Sequence, residues 1–471
     1  MTLRILSLLA LALMAGCTTV GPDYRLPAQA TINAPAARGG FVGAQAQAAV
    51  AQAPLPDHWW RLYQSPTLDR LIADAFAANT DLRVAEANLE RSRALVAQAK
   101  AAGQPNLSLG IDAGRAELSA EAYVHDGVIP PVNLYDAGLS ASYELDLFGR
   151  IRRGVEAAKA EDEAVVAARD WVRMSVAADV ARAYVEVCSA GDQLSTARAS
   201  LALQQQSLQL SRTLVANGRG TRLELTRSQG QIDLFRAGIP TFEAAQRNAL
   251  YRLATLTGKP PAEFEAALAD CATAPTLTQA IPVGDGAALL QRRPDVRAAE
   301  RRLAAATAEI GVATSALYPD IKLGASLGST GVVGDLFTAP TNRYSIGPGI
   351  VWQLNHSVAR ARIRQANAAQ KADLARFDGV VLTALREVES ALNLYAHDLD
   401  RQKSLAAAVA QARDALSDAR RLQLAGKSGA LTTLDAERTL ASAEAAQAAS
   451  RAQVAQDQVA LFLALGGGWE S

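Results

Sequence analysis

Asn79-Thr80-Asp81-Leu82-Arg83-Val84-Ala85-Glu86 and Arg293-Pro294-Asp295-Val296-Arg297-Ala298-Ala299-Glu300 open two copies of one pattern. The second follows the first by a constant 214 residues. The spacing persists without a gap to Gly103-Gln104-Pro105-Asn106-Leu107-Ser108-Leu109-Gly110 and Leu317-Tyr318-Pro319-Asp320-Ile321-Lys322-Leu323-Gly324. Each copy therefore leads from a helical pattern, through a Pro-containing break, into alternation. Further on, Asp179-Val180-Ala181-Arg182-Ala183 matches Glu387-Val388-Glu389-Ser390-Ala391. Gly218 and Gly426 fall in matching turns, with Leu225 and Leu434 just beyond. The chain reads as a duplication, with repeats over roughly 60–260 and 285–467.

Each repeat reads helix, strand, strand, very long helix, turn, helix. The strands come from alternation. Leu107, Leu109, Ile111 and Ala113 alternate with Ser108, Gly110, Asp112 and Gly114. Leu139, Ala141, Tyr143, Leu145 and Leu147 alternate with Ser140, Ser142, Glu144 and Asp146. Ile321, Leu323, Ala325 and Leu327 face away from Lys322, Gly324, Ser326 and Gly328, and Tyr344, Ile346, Ile350, Trp352 and Leu354 mark a fourth strand. An apolar face in lipid opposite a wet lumen fits this pattern, and so does a sheet half-buried on a soluble core. Four strands are too few for a closed membrane barrel, which begins at about eight. An open sheet cannot sit in lipid with unpaired edges. Strands of this kind in a membrane require several chains to share one barrel.

The helices are the second anomaly. Ile151 to Asn217 contains no Pro and two Gly, with apolar residues at about every third or fourth position, and His356 to Ala425 behaves alike. At 1.5 Å per residue such a helix is about 100 Å long. No compact domain needs that length, which points to coiled-coil-like or helical-barrel packing. Ala157, Ala158, Ala160, Ala164, Ala366, Ala368 and Ala369 would let neighbours approach closely on two flanks.

The 471 residues carry 47 Lys plus Arg against 47 Asp plus Glu, a balance that argues against a nucleic-acid partner. The N-terminus reads as a targeting segment: Arg4, an apolar run over Ile5 to Met14, then Met14-Ala15-Gly16-Cys17. Small residues before a cysteine resemble a bacterial lipobox, which makes Cys17 the expected lipidated first residue of the mature chain. An ordinary signal peptide with an unrelated cysteine is the alternative. No later stretch reaches 18 uninterrupted apolar residues, which excludes a transmembrane helix and leaves a β-barrel open. Cys188 and Cys271 remain; after export they could form one disulfide or stand as two buried thiols.

Together these features resemble the outer-membrane factor family: TolC-like channels, and within them the NodT-type efflux lipoproteins. The resemblance covers nearly the whole mature chain. It rests on Cys17-Thr18-Thr19-Val20-Gly21-Pro22-Asp23-Tyr24, Trp59-Trp60-Arg61-Leu62-Tyr63, Glu144-Leu145-Asp146-Leu147-Phe148-Gly149-Arg150, Pro282-Val283-Gly284-Asp285, Arg292-Arg293-Pro294-Asp295 and Leu434-Asp435-Ala436-Glu437-Arg438. It implies a mainly α protein with a transmembrane β-barrel part. A homotrimer would pool four strands per protomer into a twelve-stranded barrel and its helices into a long periplasmic α-barrel. Residues 1–16 would be the lipoprotein signal peptide and 17–58 a lipid-anchored linker. The first repeat would span 59–265, with strands about 106–147 and long helices about 151–257, and 266–284 would link it to the second. The second would span 285–467, with strands about 320–355 and long helices about 357–465.

The implied role is the exit duct of a tripartite RND-type efflux pump in the outer membrane. Its partners would be a periplasmic adaptor (a membrane fusion protein) and an inner-membrane transporter. An exit duct for protein secretion shares the fold, and a lipid-tethered coiled-coil scaffold is the reading from another class. The transporter would supply the energy, so the resemblance implies no cofactor and no catalytic site. His58, His125, His356 and His397 are scattered without ligand-like spacing. Gly218-Arg219-Gly220 lacks the strand–loop–helix context of a phosphate loop.

The helix–turn–helix tips are the candidate gate. The family often carries two acidic residues three apart at the second tip, forming rings that narrow the mouth. Asp435 matches the second, while Thr432 stands at the first. At the first tip the candidates are Glu224 with Arg227. Three-fold symmetry would triple each carboxylate, and Lys427, Arg219 and Arg222 could supply the compensating charge. Simple solvated turn charges are the alternative. The turns Gly218-Arg219-Gly220-Thr221 and Gly426-Lys427-Ser428-Gly429 are the candidate adaptor contacts, although glycine is expected at such helix ends in any case. Trp59 and Trp60 read better as packing than as an interface belt, for which Tyr123, Tyr135 and Tyr344 are the candidates.

Overall fold

The computed structural model describes residues 19–44, 49–121, 126–277 and 279–467. Cys17 and Tyr123 fall outside the described residues. The principal elements are α1 (Pro66–Ala78), α2 (Thr80–Ala101), β1 (Asn106–Ala116), β2 (Val132–Glu144), α3 (Arg150–Ala216) and α4 (Arg222–Leu256). They continue with α5 (Gly286–Arg292), α6 (Pro294–Ser315), β3 (Asp320–Val332), β4 (Asn342–Val351), α7 (Ser357–Leu424) and α8 (Ala430–Ala464). The duplication is visible in the lengths: α2 and α6 have 22 residues each, α4 and α8 have 35 each, and α3 and α7 have 67 and 68.

The chain divides into two compact units, and each takes matching parts of both repeats. The first comprises the N-terminal segment to Pro27, Leu89–Val165 and Ala299–Phe377. Its sheet is antiparallel throughout, in the order β1-β2-β3-β4. Among the described residues nothing pairs with the outer edges of β1 and β4. The apolar face is bare: Leu109 is 69% exposed, Ile111 69%, Leu327 64% and Tyr344 84%. A sheet half-buried on a soluble core would have covered these side chains. The opposite face carries a serine row across all four strands, Ser108, Ser140, Ser326 and Ser345, in register. Within it Ser108 and Ser140 lie 2.7 Å apart, and Ser326 and Ser345 2.8 Å.

The strands end sooner than their alternation predicts. Leu145 and Leu147 lie beyond β2, and Trp352 and Leu354 beyond β4. The reason is a polar switch into the helix. Asp146 accepts the backbone N–H groups of Ile151 and Arg152 at 2.9 and 2.8 Å, satisfying donors that the first helical turn leaves free. Glu144 takes Arg150 at 2.6 Å. Phe148 stacks on Tyr318 with ring centres 4.5 Å apart. Tyr135, expected in an interface belt, is instead buried. Its hydroxyl bonds Ser329 at 2.6 Å and Thr341 at 3.1 Å and accepts the Phe337 N–H at 3.1 Å.

The second unit comprises Ala28–Asn88, Val166–Ala298 and the chain from Asp378 onward. Its core gathers Leu68, Ile72, Val180, Val185, Val388 and Phe462. Trp59 is fully buried and stacks on Phe462 at 4.6 Å, so the Trp59-Trp60 pair is packing. Cys188 on α3 is disulfide-bonded to Cys271, 83 residues on. Asp457 on α8 is buried; Gln453 donates to its Oδ1 at 2.8 Å, and its Oδ2 has no hydrogen-bond partner. Burial pushes the Asp457 carboxyl up to about 6, with the nearby Asp398 adding to the rise.

Candidate functional site: the two hairpin tips

The α3–α4 and α7–α8 turns are built alike, and both belong to the second unit. Gly218 and Gly426 have φ of +71° and +69°, a left-handed conformation that costs an L-residue side chain and costs glycine nothing. Around them the same pair of bonds closes each helix. Gly218 N–H reaches Val215 O at 3.0 Å and Arg219 N–H reaches Leu214 O at 2.8 Å. Gly426 N–H reaches Gln423 O at 3.0 Å and Lys427 N–H reaches Leu422 O at 2.8 Å. This satisfies carbonyls that the helix end would leave unpaired. Arg219 and Lys427 are exposed at the extremity of each turn.

The helices that leave the turns differ. Thr221 caps α4: its hydroxyl accepts the Glu224 N–H at 3.3 Å, and Glu224 Oε2 accepts the Thr221 N–H at 2.9 Å. This reciprocal box satisfies two helix-end donors. Glu224 is thereby committed to the cap, and the structure does not bring it to Arg227, which is exposed. Gly429 begins α8 without a side-chain cap, and Ser428 Oγ is buried without a hydrogen-bond partner. Counted from the turns, Thr432 occupies the place of Glu224, and Asp435 that of Arg227. Thr432 and Asp435 are both exposed. Asp435 pairs with Arg438 at 2.7 Å, one helical turn on, rather than with Lys427, Arg219 or Arg222.

Beneath the tips lies a group that the sequence reading missed. Glu437 on α8 is 2% exposed, accepts the Ser207 hydroxyl from α3 and pairs with Arg420 of α7 at 2.9 Å. Its Oε2 is buried without a hydrogen-bond partner. One carboxylate therefore touches both hairpins. It borders a cavity of about 230 Å³ lined also by Leu210, Glu224, Ser228 and Leu431. Val409, Leu416 and Leu440 form a small apolar cluster farther along the same helices, with Leu203 against it. Glu437 stands two residues after Asp435, but its identity as a helix-linking acid is invisible without the partner helix.

A duplicated chain with an open, lipid-compatible sheet and paired long helical hairpins defines a protomer of a TolC-like outer-membrane channel. Residues 71–259 and 287–467 match the family described as Outer membrane efflux protein, one match for each repeat. The chain belongs to that family, and it is an efflux channel component of the outer membrane. It is 32% identical to the pyoverdine export outer membrane protein OpmQ of Pseudomonas putida, over 98% of this chain and 97% of the relative. It is 31% identical to the toluene efflux pump outer membrane protein TtgF of the same species, over 100% of this chain and 98% of the relative. Its fold is similar to that of the outer-membrane channel OprN, with a TM-score of 0.87, 34% identity and coverage of 96% of this chain and 100% of the other.

Proposed function

We propose that three copies join edge to edge, β1 to β4, into a twelve-stranded barrel, and that the resulting tube is the passive exit duct of a tripartite RND-type pump. The observation that carries this is the sheet: two unpaired edges and a bare apolar face are untenable in one chain and satisfied by a closed ring in lipid. Cys17 is the proposed lipid attachment. The periplasmic adaptor docks at Gly218-Arg219-Gly220-Thr221 and Gly426-Lys427-Ser428-Gly429, and an inner-membrane transporter supplies the energy. The chain itself performs no catalysis and carries no cofactor.

The gate is formed at the tips by Asp435, with Arg438 as its partner and Thr432 one turn nearer the end. Glu224 and Arg227 flank it from the first hairpin. Three copies of each place like charges around one axis, where rings of charge control passage. Reconstitution in planar bilayers tests this reading. Trimers with a small resting conductance are expected, rising when Asp435→Ala and Arg438→Ala are combined. A monomer without conductance would overturn it.

A further inference from the structure

Among the described residues the polar face of the sheet carries two long cations: Lys322 on β3, paired with Asp320 at 3.0 Å, and Arg343 on β4, which lies down. Arg343 on β4 stands in register with Gly328 on β3, which is in register with Gly138 on β2 and Gly110 on β1. Its side chain crosses β3 to pair with Asp136 of β2. Its Nε donates to Thr330 Oγ1 at 2.8 Å, and Thr330 donates in turn to Asp136 at 3.0 Å. A Cβ on Gly138 would stand 3.1 Å from Arg343 Nη2, and one on Gly328 3.3 Å from Arg343 Cζ. The two glycines are the ledge on which the guanidinium rests. Next to Asp136 across the β1–β2 ladder is Asp112, exposed and with no ion pair among the described residues.

We propose that Arg343 is a selectivity-determining residue of the barrel lumen. The proposal rests on the trimeric reading above. Twelve strands about 4.8 Å apart and tilted about 40° close to a backbone radius of about 12 Å. Three upright arginines would fill much of that radius and line it with positive charge. Held flat and neutralised by Asp136, they leave the passage wide, and the unpaired charge facing the lumen at this level is Asp112, while Glu144, Asp320 and Lys322 lie paired with one another toward the other end of the strands. The belt therefore favours cationic solutes at the level of β1–β4, separately from the charges at the hairpin tips. Asp136 and Thr330 act as positioning residues for Arg343.

The test is the reversal potential and single-channel conductance in a potassium chloride gradient, measured with full-length protein carrying Asp435→Ala and Arg438→Ala. Asp112→Asn is expected to shift the reversal potential away from cation selectivity at unchanged conductance. Asp136→Asn removes the same unit of charge but frees Arg343, so it should shift the potential further and also lower the conductance. Arg343→Gln should shift it the other way. Potentials unchanged in all three variants, with channels present, would overturn the filter and leave the duct standing. Equal effects of Asp112→Asn and Asp136→Asn, with no conductance loss, would overturn the role of Arg343. Absence of channels in every protein, parent included, would overturn the trimeric reading itself.

Discussion

Asn79 and Arg293, 214 residues apart, do the same work in the two repeats: each donates to the last helical carbonyl of its repeat's closing helix. Asn79 Nδ2 reaches Leu256 O at 3.0 Å, and Arg293 Nη1 reaches Ala464 O at 3.0 Å. Both are buried, at 2% and 1% exposure. Asn79 also caps α2 through the N–H groups of Asp81 and Leu82. Arg293 additionally pairs with Asp295 at 2.7 Å and Glu387 at 2.8 Å and lies over the Trp171 ring.

Replacing Arg293 by Ala takes the partner from Asp295, leaves Glu387 only its 4.0 Å contact with Arg386, and removes the bond to the Ala464 carbonyl and the packing on Trp171. Because both carboxylates stay partly solvated, the expected cost is about 3 kcal/mol. Asn79→Ala loses a cap and one buried bond, for about 1–2 kcal/mol. Denaturant unfolding of the second unit, followed by the fluorescence of Trp59, Trp60 and Trp171, should rank Arg293→Ala well below Asn79→Ala. Equal midpoints would contradict the pairing.

The disulfide closes a loop of 83 residues. In the chain-entropy view a loop of that size restricts the unfolded chain by about 4.5 kcal/mol. Cys188→Ser should therefore lower stability by several kcal/mol, and reduction of the parent protein should match it. Identical unfolding with and without reductant would show that the bond does not stabilise the fold.

Asp457 gives the molecule a pH response with a defined sign. Its carboxyl rises from the ordinary aspartate value of 3.8 to about 6, because burial and Asp398 disfavour the charged form. Its contribution to stability is full below about pH 4 and is lost as pH rises through 6. Tyr395, Gln458 and Gln453 are the polar groups around it, and Arg401 is the cation paired with Asp398 at 3.8 Å. Asp457→Asn should stabilise the protein at pH 7.5 by about 1–2 kcal/mol and have little effect at pH 4. A stabilisation independent of pH between these limits would remove Asp457 as the cause.

Glu437 links the hairpins, so its replacement should loosen them without unfolding the core. Glu437→Ala leaves Arg420 and Ser207 without their shared acceptor. Hydrogen exchange is expected to rise by about tenfold in Leu203–Leu225 and Arg420–Leu440, equivalent to about 1.4 kcal/mol of local stability. Protection elsewhere should hold. Unchanged exchange at both tips would show that the carboxylate does not couple them.

The duplication was legible because helix length and strand order survive divergence at matching positions: α2 and α6 differ in most residues but keep one length. The membrane sheet was legible as alternation plus a strand count too small to close alone. Its ends were not, because Leu145 and Leu147 continue the alternation while Asp146 recruits the next helix's N–H groups. At the tips the glycine turns were readable from composition, since only a left-handed residue fits there. The commitment of Glu224 to its cap and the placement of Glu437 were not. Both depend on which way one carboxylate turns, and Glu437 depends on helices more than a dozen residues away in sequence.

The two tips share one backbone geometry, with glycine at +71° and +69° and the same pair of closing bonds, but carry unlike side chains. A ring assembled from such chains would have six backbone-equivalent prongs alternating between two chemical kinds. A partner that meets it could grip six positions through the shared backbone shape while sensing only three through charge. Fit and recognition at that mouth can therefore change independently of each other.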